Sequence, residues 1–291
     1  MNILFRADSS HEIGHGHIMR DLVLAKEFKE EGHNVIFGVR EFDGNVTHRI
    51  LYPTIQIDFG SEEELEYIIN EFPFDMVVFD HYDIDESYER YIKEHTGVKI
   101  MSFDDTYQPH YCDILLNHNV FAEPKKYKGL VPDGCEIRCG GEYTLIRDEF
   151  KLIKNSNKPN NERKKVIIAL GASDVKNLTT TVINVLKEFE VDIEVVTTSA
   201  NQLLDELEQR EDIKLHVDTV RMAEVIWRAD LMIVSPSVIL HEVMYLGLNY
   251  VAIKSAENQK HFVKYLQERG DNIIEEYSDE ALRQVLQKEL S

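Results

Sequence analysis

The sequence predicts an α/β chain built from two doubly wound, Rossmann-like domains. Strand-sized apolar runs alternate with amphipathic helical patterns through most of the chain. The alternation stops in an Asn- and Lys-rich stretch, KLIKNSNKPNNERKK at 151–165, and then restarts. In each half, a glycine-bearing turn joins the first strand to the first helix. At 291 residues the chain has room for two domains of about 150 residues each. The expected division is 1–150, a linker at 151–165, and 166–291.

In the first half, residues 2–5 (NILF) read as a buried strand. Ile18, Leu22, Ala25 and Phe28 follow at three-to-four spacing and mark the inner face of a helix over 17–31. A strand at 34–39 and a helix at 62–71 come next. The run DMVVFD at 75–80 is apolar and ends in a carboxylate, as a buried parallel strand does at a functional edge. A polar helix at 85–95 and strands at 99–103 and 114–116 complete this half. In the second half, a strand at 166–170 leads through Gly171-Ala172-Ser173-Asp174 to a helix at 176–189. Strands at 193–197, 213–217, 231–235 and 249–254 alternate with helices near 201–210, 221–228, 238–246 and 258–269. The last helix, about 279–290, is a candidate to pack back on the N-terminal domain.

Composition excludes several functions. A formal net charge of −21 disfavours nucleic acid and anionic membrane surfaces as partners. An acidic chain that binds an anion must gather its donors locally, as backbone N–H groups or a few Arg and Lys side chains. Cys112, Cys135 and Cys139 are odd in number and lack paired metal-type spacing, which points to a reduced, cytoplasmic setting. No basic segment precedes an apolar core at the N-terminus, and no apolar run approaches the ~20 residues of a membrane span.

The stretch from Phe5 to Arg20, FRADSSHEIGHGHIMR, carries the chemistry. Ser9, Ser10, Gly14 and Gly16 form a loop where backbone can approach a ligand closely, and His17 falls at the helix's first turn. Free N–H groups and the helix dipole favour an anion there. The same positive end lowers an imidazole pKa and keeps the ring able to accept a proton. His17 is therefore the candidate general base; its plainer role is a polar residue at a solvated helix start. The series Gly14-x-Gly16-x-x-Met19 lacks the third glycine of a dinucleotide fingerprint, so NAD is not expected. His11, His15 and His17 lack an identifiable fourth ligand, so neither is a metal. Arg20 is placed to steady phosphates or a carboxylate.

Asp80-His81-Tyr82-Asp83 ends the third strand, where Tyr82 offers a hydroxyl to a sugar, or the segment is an exposed polar loop. Asp104 and Asp105 are adjacent, so their side chains point to opposite sides of an extended chain; turn chemistry is their plainer role. In the second half, Ser173 lies in a possible phosphate-facing turn. Ser237 opens a helix and either caps it or offers that helix start to a diphosphate. Glu242, one turn on, either binds ribose hydroxyls or is a solvated carboxylate. Asn258 and Gln259 open another helix, where Asn258 alternatively serves as a cap.

Together these residues carry a resemblance. FRADSS-x-x-IG-x-GH-x-MRDLVLA, DHY, SFDD, CDILLN, GLVP, C-x-x-R-CG and LIR-x-EF resemble the UDP-sugar hydrolases of the pseudaminic acid pathway. Those enzymes split UDP-2,4-diacetamido-2,4,6-trideoxy-β-L-altropyranose into UDP and the free sugar. Spore-coat polysaccharide proteins share the pattern, and the second half is also similar to the nucleotide-binding half of the MurG glycosyltransferase. The resemblance implies the two-domain glycosyltransferase-B fold, with two domains facing a cleft that holds the active site. It implies that His17 activates water for inverting attack at the anomeric carbon, and that Tyr82 and Asn258 contact sugar or leaving group. Ser237 and the backbone after it would hold diphosphate, Glu242 the ribose, and 219–222, with Val220 and Met222, the uracil. Neither metal nor cofactor is implied. A glycosyltransferase of the same fold and a non-catalytic UDP-sugar binding protein are the alternatives.

Overall fold

Strands buried on both faces give this chain two parallel sheets, one in each of two units, Met1–Leu145 and Ile146–Ser291. The computed structural model describes residues 1–291 except 11, 12, 172, 173 and 175. The N-terminal unit runs β1 (Asn2–Ala7), α1 (Gly16–Glu30), β2 (Asn34–Val39), β3 (Thr54–Gln56), α2 (Glu62–Glu71), β4 (Met76–Asp80), α3 (Glu86–Thr96), β5 (Lys99–Phe103), β6 (Ile114–Asn117) and β7 (Glu136–Cys139). Its strands are parallel, in the order β3-β2-β1-β4-β5-β6-β7. Side chains alternate across the sheet, as the period of two demands. Ile3, Phe5, Val78, Met101 and Leu116 pack with Ile18, Ala25 and Phe28 of α1 on one face. Leu4, Val77, Phe79, Ile100 and Leu115 pack with Leu65 of α2 and Ile92 of α3 on the other.

The C-terminal unit runs α4 (Asp148–Ile153), β8 (Lys165–Ala169), α5 (Leu178–Leu186), β9 (Asp192–Thr197), α6 (Leu204–Glu208), β10 (Lys214–Val217), α7 (Met222–Trp227), β11 (Leu231–Val234), α8 (Val238–Leu246), β12 (Tyr250–Ile253), α9 (Lys260–Arg269), β13 (Ile273–Ile274) and α10 (Asp279–Glu289). Its parallel sheet has the order β10-β9-β8-β11-β12-β13. The stretch expected as a linker therefore begins inside α4 and ends on the first residue of β8. Leu282 and Leu286 of α10, expected to turn toward the N-terminal domain, are buried with Val182 and Ile183 of α5 in this unit's own core. In each sheet the strand order reverses direction at one place, between β1 and β4 and between β8 and β11. Such switch points leave a crevice at the carboxyl ends of the strands.

A buried ionic knot braces the N-terminal unit. Glu89 of α3 accepts from Ser102 Oγ at 2.6 Å and from His110 Nδ1 at 2.7 Å, and His110 Nε2 lies 3.8 Å from Asp104. Burial alone would lower the imidazole's pKa, but Asp104 and Glu89 outweigh it and push it up to about 9. A raised folded-state pKa gives stability that is full below the unfolded value near 6.5 and lost as pH rises through about 9. The loss is expected to be on the order of 3 kcal/mol. Urea midpoints at pH 6 and 9.5 should therefore separate for the native chain and converge for His110→Gln; equal drops in both would refute this.

Candidate active site

The candidate base sits at the first switch point. His17 is the second residue of α1, a helix start with no side-chain cap and no acidic residue in its first turn among the described residues. Gly14, at φ +82°, turns the loop into it and donates to Ser10 O at 2.9 Å, while Gly16 opens the helix. His17 is buried, and its Nδ1 lies 3.1 Å from the main-chain oxygen of Asp80 at the end of β4. A carbonyl only accepts, so Nδ1 carries the proton and Nε2 of the neutral ring keeps its lone pair. Burial lowers the imidazole's pKa; Asp80 pulls the other way and Arg20 adds to the lowering. The Tyr82 ring meets the imidazole edge-on, with centroids 4.8 Å apart.

Buried charges frame this base. Arg20 donates to Asp80 through Nε at 2.6 Å and Nη2 at 2.5 Å, and through Nη1 to both oxygens of Asp105 at 2.9 and 2.8 Å. It also lies over the Phe103 ring at 4.8 Å. The carboxylates that Arg20 steadies thus belong to the protein, and its fork is engaged without a phosphate. Asp8, wholly buried, is gripped by Arg6 at 2.6 and 2.8 Å, by His81 Nε2 at 3.1 Å and by the N–H of Arg40 at 2.8 Å. Burial would raise its carboxyl pKa, but these donors hold it well below the usual range. His81 is therefore a half-buried strut, while Asp83 is exposed.

In the C-terminal unit the expected residues fall at several strand ends. Ser235-Pro236-Ser237 follows β11 at the second switch point. Ser237 precedes α8 but makes no side-chain cap bond; its Oγ lies 3.1 Å from that of Ser235. Glu242 is buried rather than solvated, because Arg147 Nε and Nη2 take its two oxygens at 2.6 and 2.7 Å. Burial raises its pKa, with Arg147 opposing. Asn258 is exposed in a single 3-10 turn, Glu257–Gln259. Gln259 braces that turn: Oε1 accepts from the N–H groups of Ser255 and Ala256 at 2.8 and 3.2 Å, and Nε2 donates to Ser255 Oγ at 3.0 Å. Its amide is thus engaged with the backbone and hydroxyl at 255–256.

Val220 is exposed and Met222 opens α7, both following the edge strand β10, three strand positions from β11. Ser173 and His11 lie outside the described residues. Asp174 beside Ser173 is described, and its carboxylate accepts from the N–H groups of Leu178 at 3.0 Å and Thr179 at 2.8 Å. A side-chain carboxylate thus occupies donors at the start of α5 that a phosphate-facing turn would have offered. Among the described residues, no group of three or more His, Cys, Asp or Glu is arranged to hold a metal ion, and no helix is long and apolar enough to cross a membrane.

Known proteins share this chain's sequence pattern and fold. The chain is 38% identical over 282 residues to the UDP-2,4-diacetamido-2,4,6-trideoxy-beta-L-altropyranose hydrolase of Campylobacter jejuni subsp. jejuni, covering 95% of this chain and 100% of that protein. It belongs to that hydrolase family. The spore coat polysaccharide biosynthesis protein SpsG of Bacillus subtilis is 20% identical over 280 residues, 93% of this chain and 82% of that one. No family model matches the chain. Acinetobacter baumannii MurG superposes with a TM-score of 0.66 at 15% identity, covering 100% of this chain and 91% of MurG, which establishes the two-domain α/β glycosyltransferase fold.

Within this member of the hydrolase family, Arg147 and Asp105 are the residues that sequence reasoning left out. Arg147 belongs to the LIR-x-EF motif, and its guanidinium packs over Phe150 at 4.8 Å as well as clamping Glu242. The motif was visible, but its partner lies 95 residues away. Asp105 reads in the sequence as turn chemistry, a role that its neighbour Asp104 performs: Asp104 accepts from the N–H groups of Thr106 and Tyr107 at 3.0 and 2.7 Å. Asp105 instead faces Arg20.

Proposed function

We propose that this chain hydrolyses UDP-2,4-diacetamido-2,4,6-trideoxy-β-L-altropyranose to UDP and the free sugar in the cytoplasm. The observation that carries the reading is the 3.1 Å contact between His17 Nδ1 and the main-chain oxygen of Asp80, which assigns the ring's tautomer. With Nδ1 donating to Asp80 O, Nε2 is left basic beside an uncapped helix start. Nε2 takes a proton from water as the anomeric carbon becomes cationic, and water attacking opposite the departing UDP inverts the configuration. The hydroxyls of Ser235 and Ser237 and the start of α8 are the proposed diphosphate site, where N–H donors offset the charge growing on UDP. Glu242 is the proposed ribose acceptor, Val220 and Met222 the uracil contacts, and Tyr82 and Asn258 the sugar contacts. On this reading the reaction needs no metal. Residues 219–222 and 235–242 are read as nucleotide contacts from the resemblance, with their places at the strand ends in support.

Phosphorus NMR of the chain with this sugar nucleotide, in chelator and without any acceptor, tests the proposal. UDP should appear, and a proton spectrum of the same sample should show an anomeric signal of inverted configuration in the first product. An intact spectrum would overturn hydrolysis and favour a transferase awaiting an acceptor, a reading that the likeness to MurG keeps in view. Because burial lowers the His17 pKa, kcat/KM should be flat at neutral pH and fall only below the ordinary imidazole value near 6.5. An acid limb centred above pH 7 would show that another group sets the profile.

A further inference from the structure

We propose that Asp105 is a positioning residue: it ties the Tyr82 hydroxyl to Arg20 and so fixes the Tyr82 ring edge-on against His17. The inference rests on the reading of His17 as the base. Adjacent Asp104 and Asp105, just past the end of β5, take different partners. Asp104 turns into the core, where it also accepts from Tyr127 OH at 2.6 Å. Asp105 turns toward the base. It accepts from Arg20 Nη1 at 2.9 and 2.8 Å, from Asn119 Nδ2 at 2.8 Å and from Tyr82 OH at 3.1 Å.

Its donors leave the sheet by different routes. Arg20 is on the helix after β1, Tyr82 follows β4, and Asn119 follows β6, with Asp105 itself after β5. These four strands are neighbours in the sheet, so one carboxylate joins four strand ends around the imidazole. Tyr82 is 55% exposed on a connecting turn, where an aromatic side chain has rotamers to choose from. A charge-assisted bond to a carboxylate selects one of them. Burial would raise the Asp105 carboxyl pKa, but Arg20 holds it well below the usual range, so the acceptor stays charged at any working pH.

The same charge acts on the base. His17 faces Asp80, His81 and Tyr82 from the segment ending β4, Arg20 from its own helix, and Asp105 from the segment after β5. Asp80 and Asp105 favour the imidazolium, whereas burial, Arg20 and His81 oppose it. Asn in place of Asp105 keeps an oxygen for the phenol but removes the charge. Ala removes both.

The test is NMR of chain labelled at histidine, tyrosine and phenylalanine, with no substrate present. It compares native protein, Asp105→Asn, Asp105→Ala and Tyr82→Phe. The cross-peak between the rings at positions 17 and 82 should persist in Asp105→Asn and weaken in Asp105→Ala and Tyr82→Phe. The His17 titration midpoint should move to lower pH in both Asp105 variants. Turnover of the UDP-sugar should fall by about 10- to 100-fold in Asp105→Ala. Adding Tyr82→Phe to Asp105→Ala should then cost less than it does in the native background, since both remove one interaction. An unchanged cross-peak in Asp105→Ala, an unmoved midpoint, or fully multiplicative losses would overturn the proposal. If Asp105→Ala does not fold, the midpoint of Asp105→Asn and the cross-peak in Tyr82→Phe still decide it. Absence of native turnover would defeat the hydrolase reading alone, because the ring contact and midpoint are read without substrate.

Discussion

Replacing His17 with glutamine is expected to lower turnover of the UDP-sugar by about 10²–10⁴-fold while the chain remains folded. Glutamine is the informative substitution because His17 has two jobs. Its Nδ1–H satisfies the main-chain oxygen of Asp80, and a glutamine amide can still donate there. What glutamine lacks is a basic nitrogen. Alanine removes both functions and leaves a space beneath the Tyr82 ring, so its effect mixes chemistry with packing. Steady-state kinetics and thermal unfolding on the same preparations check the result. A glutamine variant that turns over at the native rate would place the base elsewhere. The loss should appear in kcat, because proton removal from water is an interaction of the transition state rather than of substrate binding.

The fold and the place of the candidate base were legible in the sequence because both are written locally. Residues 2–5 and 75–80 are apolar runs because β1 and β4 are buried on both faces, and the loop between β1 and α1 is marked by its own glycines. The strands that escaped notice, β3, β7 and β13, lie at sheet edges and are short. Thr54–Gln56 is exposed at two of its three positions, so no apolar run announces it. The helix expected at 176–189 is trimmed to Leu178–Leu186, and Asp174 caps its start through two N–H groups. The partners of the site residues were illegible for a different reason. Arg20 meets Asp105 across 85 residues, and Arg147 meets Glu242 across 95, and no periodicity records such a pairing. Conversely, Ser237 carries the composition of a cap and does not cap, because its hydroxyl faces Ser235.

Removing Arg147 should be the most damaging single change in the C-terminal unit. Glu242 is 1% exposed, and Arg147→Met leaves its carboxylate without the fork that holds it. Breaking a buried pair from one side costs about 3–5 kcal/mol. Glu242 can escape part of that cost by binding a proton, and burial already raises its pKa in the native chain. A carboxyl whose folded-state pKa is raised contributes stability at low pH and loses it as pH rises above its unfolded value. The Arg147→Met variant should therefore be far weaker than native protein at pH 8 and closer to it at pH 5. Trp227, the chain's one tryptophan, lies in α7 of the same unit and reports its urea transition by fluorescence. Arg147→Met/Glu242→Leu should recover most of the lost stability, since replacing both charges with apolar groups removes the stranded carboxylate. That double variant also separates structure from function. If Glu242 accepts the ribose hydroxyls of UDP, the stable double variant will bind UDP at least about tenfold more weakly by calorimetry, the equivalent of one charged hydrogen bond. If it binds UDP as the native chain does, the pair is a brace for α8 and the ribose is held elsewhere.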